Sequence, residues 1–389
     1  MTKRDRTLAT HAGNHPKAHH GIVNPPVYHA STVLYDSVAD MRARHKERFN
    51  TVYYGRYGTP TTFALEEAVA ALEEADRAVA VPSGLGAVSG ALLSFLGAGD
   101  HVLMVDSTYE PTRVFCDTQL RRFGIETTYY DPSVGAGIAA LIRPNTKVVY
   151  LESPGSHTFE IQDVPAIAAA AHERDCVVIL DNTWASPLFF KPYRHGVDVV
   201  VHAATKYIVG HSDVMMGIIT MRDRFFTQVK TQVHGMGFAV GGDDCYLALR
   251  GLRTIGARLA QHQQTALTLA NWLKGRPEVA RVLHPALPEH PGHDLWKRDF
   301  LGSSGLFGVV FNPFDDARVA AMIDGMELFG LGFSWGGYES LMVPSSLGSA
   351  RTATRWRQPG PTVRIHAGLE DPDDLIADLA RGLDRLRGN

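Results

Sequence analysis

The chain has 389 residues, and at about 150 residues per domain that leaves room for two or three domains, one with a sizeable core. Hydrophobic residues make up 45% and charged residues 20%, an ordinary globular composition that excludes a disordered or collagen-like chain. Lys plus Arg (38) against Asp plus Glu (41) gives a formal net charge of −3, so the chain as a whole has no electrostatic case for binding nucleic acid or a membrane surface.

Residues 1–60 read as an N-terminal arm. They are polar, carry His11, His15, His19, His20, His29 and His45, and offer one short helix around Ser37–Arg48. An arm with no core of its own packs on something else, here a neighbouring subunit. The early histidines show no spacing of an ordered ligand set, so a solvated segment is the reading taken and no metal is expected. The start, MTKRDRTLATHAGNHPKAHH, has no apolar run of the kind a secretory signal needs. No stretch is apolar for long enough to span a bilayer. Cys116, Cys176 and Cys245 lie far apart with no C-x-x-C pair, which fits a reducing compartment. The expected location is the cytoplasm.

From residue 61 to 252 the pattern becomes regular. Thr62–Leu72 has helical periodicity. Apolar runs then alternate with helical stretches. The runs are Ala78–Val81, His101–Val105, Lys147–Leu151, Cys176–Leu180 and Asp198–Val201, with helices such as Pro111–Phe123 and Val164–Arg174 between them. Mostly continuous rather than alternating runs predict strands buried on both faces of a parallel sheet, hence an α/β domain. Residues 253–389 read as a smaller α+β domain: a long helix over Leu252–Leu273, a Pro/His-rich connection, strands at Gly305–Phe311 and Thr362–His366, and a helix at Asp316–Gly325. The last helix is capped by Asp371, opens on Pro372 and buries Leu375, Ile376, Leu379, Leu383 and Leu386.

Ligands of open α/β sheets bind beyond the carboxyl ends of the strands. There stand Ser83-Gly84-Leu85-Gly86, then Asp106 and Tyr109, Glu152 and Ser153, Asp181, and Thr205-Lys206. The glycine loop can cradle a phosphate at a helix N-terminus. It also fits a weak dinucleotide fingerprint with Asp106 as the ribose acid, or a plain tight turn. Asp181 is either a helix cap or a carboxylate held for a cation. Lys206, in a small-residue turn after a buried strand, is poorly solvated and suits a Schiff-base nucleophile. Together these parts suggest pyridoxal 5'-phosphate (PLP), which needs an amine for its aldehyde, a carboxylate for its ring nitrogen, a flat ring to stack on and a phosphate cradle. Lys206, Asp181, Tyr109 and the Gly84 loop supply one each.

The segment Asp198-Val199-Val200-Val201-His202-Ala203-Ala204-Thr205-Lys206-Tyr207 resembles the cofactor-attachment signature of the Cys/Met-metabolism (transsulfuration) PLP enzymes. The resemblance covers nearly the whole chain. Tyr54-Gly55-Arg56-Tyr57, Ser107-Thr108-Tyr109-Glu110-Pro111, Glu152-Ser153-Pro154-Gly155-Ser156, Asp181-Asn182-Thr183-Trp184, Ser334-Trp335-Gly336-Gly337-Tyr338-Glu339 and Arg364-Ile365-His366-Ala367-Gly368 are similar to its β-lyase branch. The γ-acting relatives typically carry a smaller residue where Trp335 stands. The resemblance implies an aspartate-aminotransferase-like fold type I, a mostly parallel sheet in the large domain, and carbon–sulfur β-elimination on cystathionine or a related amino acid. It implies that Lys206 attaches PLP, Asp181 holds the ring nitrogen and Tyr109 stacks on the ring. Gly84, Leu85 and Thr205 would bind the phosphate. Tyr54 and Arg56 would reach it from a neighbouring subunit, in a homotetramer of catalytic dimers. Arg364, with Ser334, Trp335 and Tyr54, would take the substrate. Many relatives have Ser where this chain has Ala203, which would remove one phosphate contact. Three other readings stand beside this one: γ-elimination or γ-replacement, a nicotinamide-dependent oxidoreductase, and a non-catalytic PLP protein.

Overall fold

The computed structural model describes residues 3–345, 347 and 351–388 of the chain. The apolar runs form a seven-stranded sheet: β1 (Arg77–Val81), β2 (His101–Val105), β3 (Glu126–Tyr130), β4 (Thr146–Glu152), β5 (Val177–Asp181), β6 (Val199–His202) and β7 (Gly217–Met221). Their order is β1-β7-β6-β5-β4-β2-β3. Strands β2 to β6 pair in parallel, and β7 lies antiparallel to both β6 and β1.

The central strands are apolar on both faces because both faces are covered. Along β4, Val149 and Leu151 enter one buried cluster while Val148 and Tyr150 enter another. In β5, Val178 and Leu180 separate from Ile179 in the same way. Burying each such side chain stabilises the fold by about 1.5–3 kcal/mol. The period of two also sets the strand ends. Glu152 follows Tyr150, Asp181 follows Ile179, and the two acids are register partners, so both carboxyls stand on one face of the sheet. Behind them the helix Pro60–Glu73 is tied to the strand ends through buried Glu73, which accepts from Asn182 Nδ2 at 2.8 Å and meets His202 Nε2 at 2.7 Å.

The second sheet is antiparallel: β8 (Val279–Leu283), β9 (Leu306–Phe311), β10 (Leu341–Ser345) and β11 (Thr362–His366), in the order β10-β11-β9-β8. The final helix, Pro372–Arg387, starts as its residues dictate, with Asp371 accepting from the Asp373 N–H at 2.9 Å and Leu375, Leu379, Leu383 and Leu386 buried. The long helix starts earlier than its apolar stripe suggested. It spans Gly242–Lys274 and packs its first half on the large domain and its second half on the small sheet, so residue 252 lies inside a helix common to both.

The helix Asp5–His11 docks on the chain's own large domain. Ala9 is buried, Arg253 donates to the carbonyls of Ala9 and Ala12 at 2.9 and 2.8 Å, and buried Lys191 lies 3.1 Å from Asp5. Beyond it the arm stays at the surface and bares apolar side chains, with Val23 67% and Leu34 85% exposed. Its short helix is Val38–Lys46, with Ser37 accepting from the Asp40 N–H at 3.1 Å. Among the described residues no helix is long and apolar enough to cross a membrane.

Candidate active site

The carboxyl ends of the strands open into a cleft of about 300 Å³. Its lining includes Gly84 and Leu85 after β1, Tyr109 after β2, Glu152, Asp181, Thr205 and Lys206 after β6, and Trp335 and Arg364 from the smaller domain. The sheet edge named from the sequence is therefore one wall, and the second domain supplies the facing one.

The helix Gly84–Phe95 starts at the mouth of the cleft, with Ser83 Oγ accepting from the Gly86 N–H at 3.0 Å. Helix geometry leaves the N–H groups of Gly84 and Leu85 without intrahelical acceptors, which suits an anion. A side chain at Gly84 would stand 2.5 Å from Ala203 Cβ. The phosphate-type loop and the turn before Lys206 thus touch, and both need small residues. The Thr205 hydroxyl is engaged by the main chain: it donates to the Met216 carbonyl at 3.1 Å and accepts from the Met216 N–H at 2.9 Å.

Lys206 Nζ donates to Ser334 Oγ at 2.6 Å and lies 5.3 Å from the centre of the Trp335 ring. Burial, together with the Arg364 guanidinium, pulls its pKa down to about 8, and Asp181 opposes the fall. Ser334 has a left-handed backbone (φ 81°), and its carbonyl accepts from Arg364 Nη2 at 3.3 Å. Gly336 (φ 87°) lies so close that a side chain there would meet Lys206 backbone carbon at 2.9 Å. The 334–336 turn is therefore folded directly against the lysine.

Asp181 accepts from the Thr183 N–H at 2.9 Å. Burial still pushes its carboxyl above the usual range, although the Thr183 hydrogen bonds, His202 and Lys206 oppose this. A desolvated carboxylate left in that state calls for one more cationic partner. Arg364 on β11 is largely desolvated, with no carboxylate paired to it among the described residues, and so is free to take an anionic group. The Tyr109 ring is partly exposed in the cleft, and its N–H donates to Glu152 Oε2 at 2.7 Å.

Two of the residues expected at the site lie elsewhere on this chain. Arg56 donates to the His234 carbonyl at 2.7 Å and stacks on Tyr57, and Tyr54 is exposed; neither lines the cleft. Asp106 is occupied as well. Its carboxylate accepts from the N–H groups of Thr352 at 3.0 Å and Thr354 at 2.8 Å and pairs with Arg113 at 2.6 Å. It is buried as the anchor of a loop, which removes the ribose acid from a dinucleotide reading. Glu152 stands on this edge at its strand end, and Thr183 and His157 line the cleft without a motif in the sequence that assigns them a task. His157 is a neutral imidazole, pushed down to about 4 by burial, with Nδ1 2.9 Å from Ser345 Oγ. Glu152 had a readable signal, since it ends its strand as Asp181 ends the next.

The donor set fits PLP: a helix N-terminus walled by small residues, a buried amine, a desolvated carboxylate and a flat ring. Residues 6–384 match the family described as Cys/Met metabolism PLP-dependent enzymes. The chain belongs to that family. A relative from Rhizobium johnstonii is 50% identical over 97% of this chain and 95% of its own. The cystathionine beta-lyase MetC of Escherichia coli is 44% identical over 99% of both chains. The crystal structure of metB from Corynebacterium glutamicum superposes with a TM-score of 0.92 at 32% identity, covering 99% of each chain. The Cys/Met-metabolism chain has the fold type I architecture: a mostly parallel large sheet and a smaller antiparallel one.

Proposed function

We propose that the protein is a PLP-dependent carbon–sulfur β-lyase. It takes L-cystathionine and related β-thio amino acids such as cystine. With water, cystathionine yields homocysteine, pyruvate and ammonia. The observation that carries this reading is the convergence of Lys206, Asp181, Tyr109, Trp335 and Arg364 in one cleft, in a chain whose Escherichia coli relative is named a cystathionine beta-lyase.

When bound, PLP supplies the electron sink for charge that develops at the substrate Cα. The protein's own groups do the rest. Lys206 Nζ is the attachment point, and then the base that takes the α-proton. Its pKa, pulled down to about 8 by burial and Arg364, makes the neutral amine far more available near neutral pH than that of an ordinary lysine. Ser334 Oγ holds that amine in place. Asp181 keeps a negative charge at the back of the cleft, where it stabilises a protonated ring nitrogen throughout the reaction. Gly84 and Leu85 N–H groups would bind the phosphate, and the Thr205 hydroxyl would join them only by turning its proton away from the Met216 carbonyl. Arg364 and Ser334 hold the substrate carboxylate, and Trp335 covers it from water. As the Cβ–S bond breaks, the sulfur takes the electron pair and a proton from Lys206 Nζ or Tyr109 Oη.

We further propose a cytoplasmic homotetramer of catalytic dimers, in which Tyr54 and Arg56 complete a neighbour's cleft. Their absence from the lining of their own cleft and the apolar side chains bared on the arm support this. The free, buried Cys116, Cys176 and Cys245 suit a reducing compartment.

The deciding experiment is a product assay on the purified holoenzyme. Cystathionine should give pyruvate and a free thiol; 2-oxobutyrate in its place would assign γ-elimination. Lys206→Ala should lose both the visible absorbance of attached cofactor and turnover, and retained turnover would overturn the scheme.

A further inference from the structure

Glu152 is a half-buried carboxyl on the cleft wall that this reaction does not use. It ends β4 where Asp181 ends β5, one strand away and on the same face. Its main chain is fixed by buried Gln162, whose Oε1 accepts from the Glu152 N–H at 3.0 Å. Its side chain reaches back to the loop after β2. There Oε2 accepts from the Tyr109 N–H at 2.7 Å and from Thr108 Oγ1 at 3.2 Å. The Tyr109 carbonyl starts the helix Glu110–Phe115 by accepting from the N–H groups of Thr112 at 2.9 Å and Arg113 at 3.1 Å, so its N–H is the main-chain group that Glu152 holds.

Two half-buried carboxyls set side by side disfavour ionisation of one another. The groups around each one decide which carries the charge. Asp181 has His202 and Lys206 acting in its favour. Glu152 faces Asp181 on β5, the Tyr150 phenol on its own strand and the Tyr109 loop; desolvation first and Asp181 second push its carboxyl well above the usual range, against the opposing hydrogen bonds from the Tyr109 N–H and Thr108.

We propose that Glu152 is a positioning residue. As a neutral carboxyl it clamps the Tyr109 backbone, so that the ring is held over the cleft, and it leaves the negative charge of the two strand ends on Asp181 alone. This rests on the reading of Tyr109 and Asp181 as residues that contact PLP.

The test strips cofactor from the full-length protein, titrates PLP back by visible absorbance, and records the visible circular dichroism per bound cofactor, which reports how the cofactor is held and does not fall merely because fewer sites are filled. Glu152→Gln keeps an acceptor and no charge, so PLP affinity should stay within about threefold and the dichroism should persist; Glu152→Ala removes the acceptor, and affinity should fall about tenfold or more with the dichroic band weakened, as loss of one charge-free clamp implies. Should the alanine variant fail to fold, Glu152→Met, which fills the space without an acceptor, takes its place. A Gln variant as poor as Ala would mean that an ionised carboxylate is needed and would overturn the proposal, as would an Ala or Met variant that binds like the parent. Tyr109→Ala is run beside them. If it leaves PLP affinity unchanged, the reading of the cleft itself fails and the inference with it. If it weakens binding while Glu152→Ala does not, only the role of Glu152 is lost.

Discussion

At the scale of the residue, the chemistry rests on how Lys206 is solvated. Its amine is enclosed by Ser334, Trp335 and the 334–336 turn, and the Arg364 charge adds to the desolvation. Both effects disfavour the ammonium, so the pKa falls and the neutral nucleophile is present at lower pH. The rate at which PLP attaches to cofactor-free protein should rise about tenfold per pH unit below 8 and level off above it, as titration of a single amine requires. Stopped-flow absorbance across pH 6 to 10 checks this. A rate still climbing through pH 10 would mean a lysine in ordinary water, and the buried-amine account would fail. The sequence made this lysine legible because a small-residue turn after a buried strand leaves little room for water. It made Arg364 legible only through family resemblance. What brings Arg364 to the cleft is the packing of a second sheet against the first, and no local pattern encodes that.

At the scale of the element, the strands that the sequence revealed are those covered on both faces, such as Val177–Asp181 and Val199–His202. Those it did not reveal have other patterns. Glu126–Tyr130 is a polar edge strand with Glu126 exposed and Thr127, Thr128 and Tyr129 half-buried, and Leu341–Ser345 contains a proline at the margin of the small sheet. Gly217–Met221 is as buried as its neighbours, but it runs antiparallel and so breaks the alternation of strand and helix that made the others readable. The dinucleotide alternative was removed by an element too. Asp106 holds the 352–354 segment through three main-chain N–H groups and the Thr354 hydroxyl, with the buried Arg113 guanidinium beside it. Asp106→Ala would strand those donors and leave Arg113 without its carboxylate, so folding stability should drop by about 3 kcal/mol. Urea denaturation measures that loss. Limited proteolysis should then cut first between residues 351 and 357. Unchanged stability would mean that the segment is held elsewhere.

At the scale of the whole molecule, a single chain does not bring all of the expected site residues together. The cleft holds the amine, the carboxylate, the ring and the guanidinium, whereas Tyr54 and Arg56 lie on the arm with Arg56 turned to the His234 carbonyl. The arm also bares Ile22, Val23, Leu34 and Val38 to solvent, an arrangement that a monomer would not favour and that contact with a second copy would bury. If Arg56 serves a neighbour, its loss and the loss of Lys206 fall on different clefts of a mixed dimer. Arg56→Ala and Lys206→Ala chains, each nearly inactive alone, should regain activity when unfolded together at equal amounts and refolded. In a mixed dimer one cleft carries both changes and the other carries neither. Random pairing makes half of the dimers mixed, so about a quarter of all clefts are intact and activity should approach that fraction of the parent's. Pyruvate release from cystathionine, with light scattering to confirm the assembly, reads the result. No recovery from a correctly assembled mixture would show that Arg56 acts within its own chain, and the cleft would then have to be completed by a movement of the arm toward it.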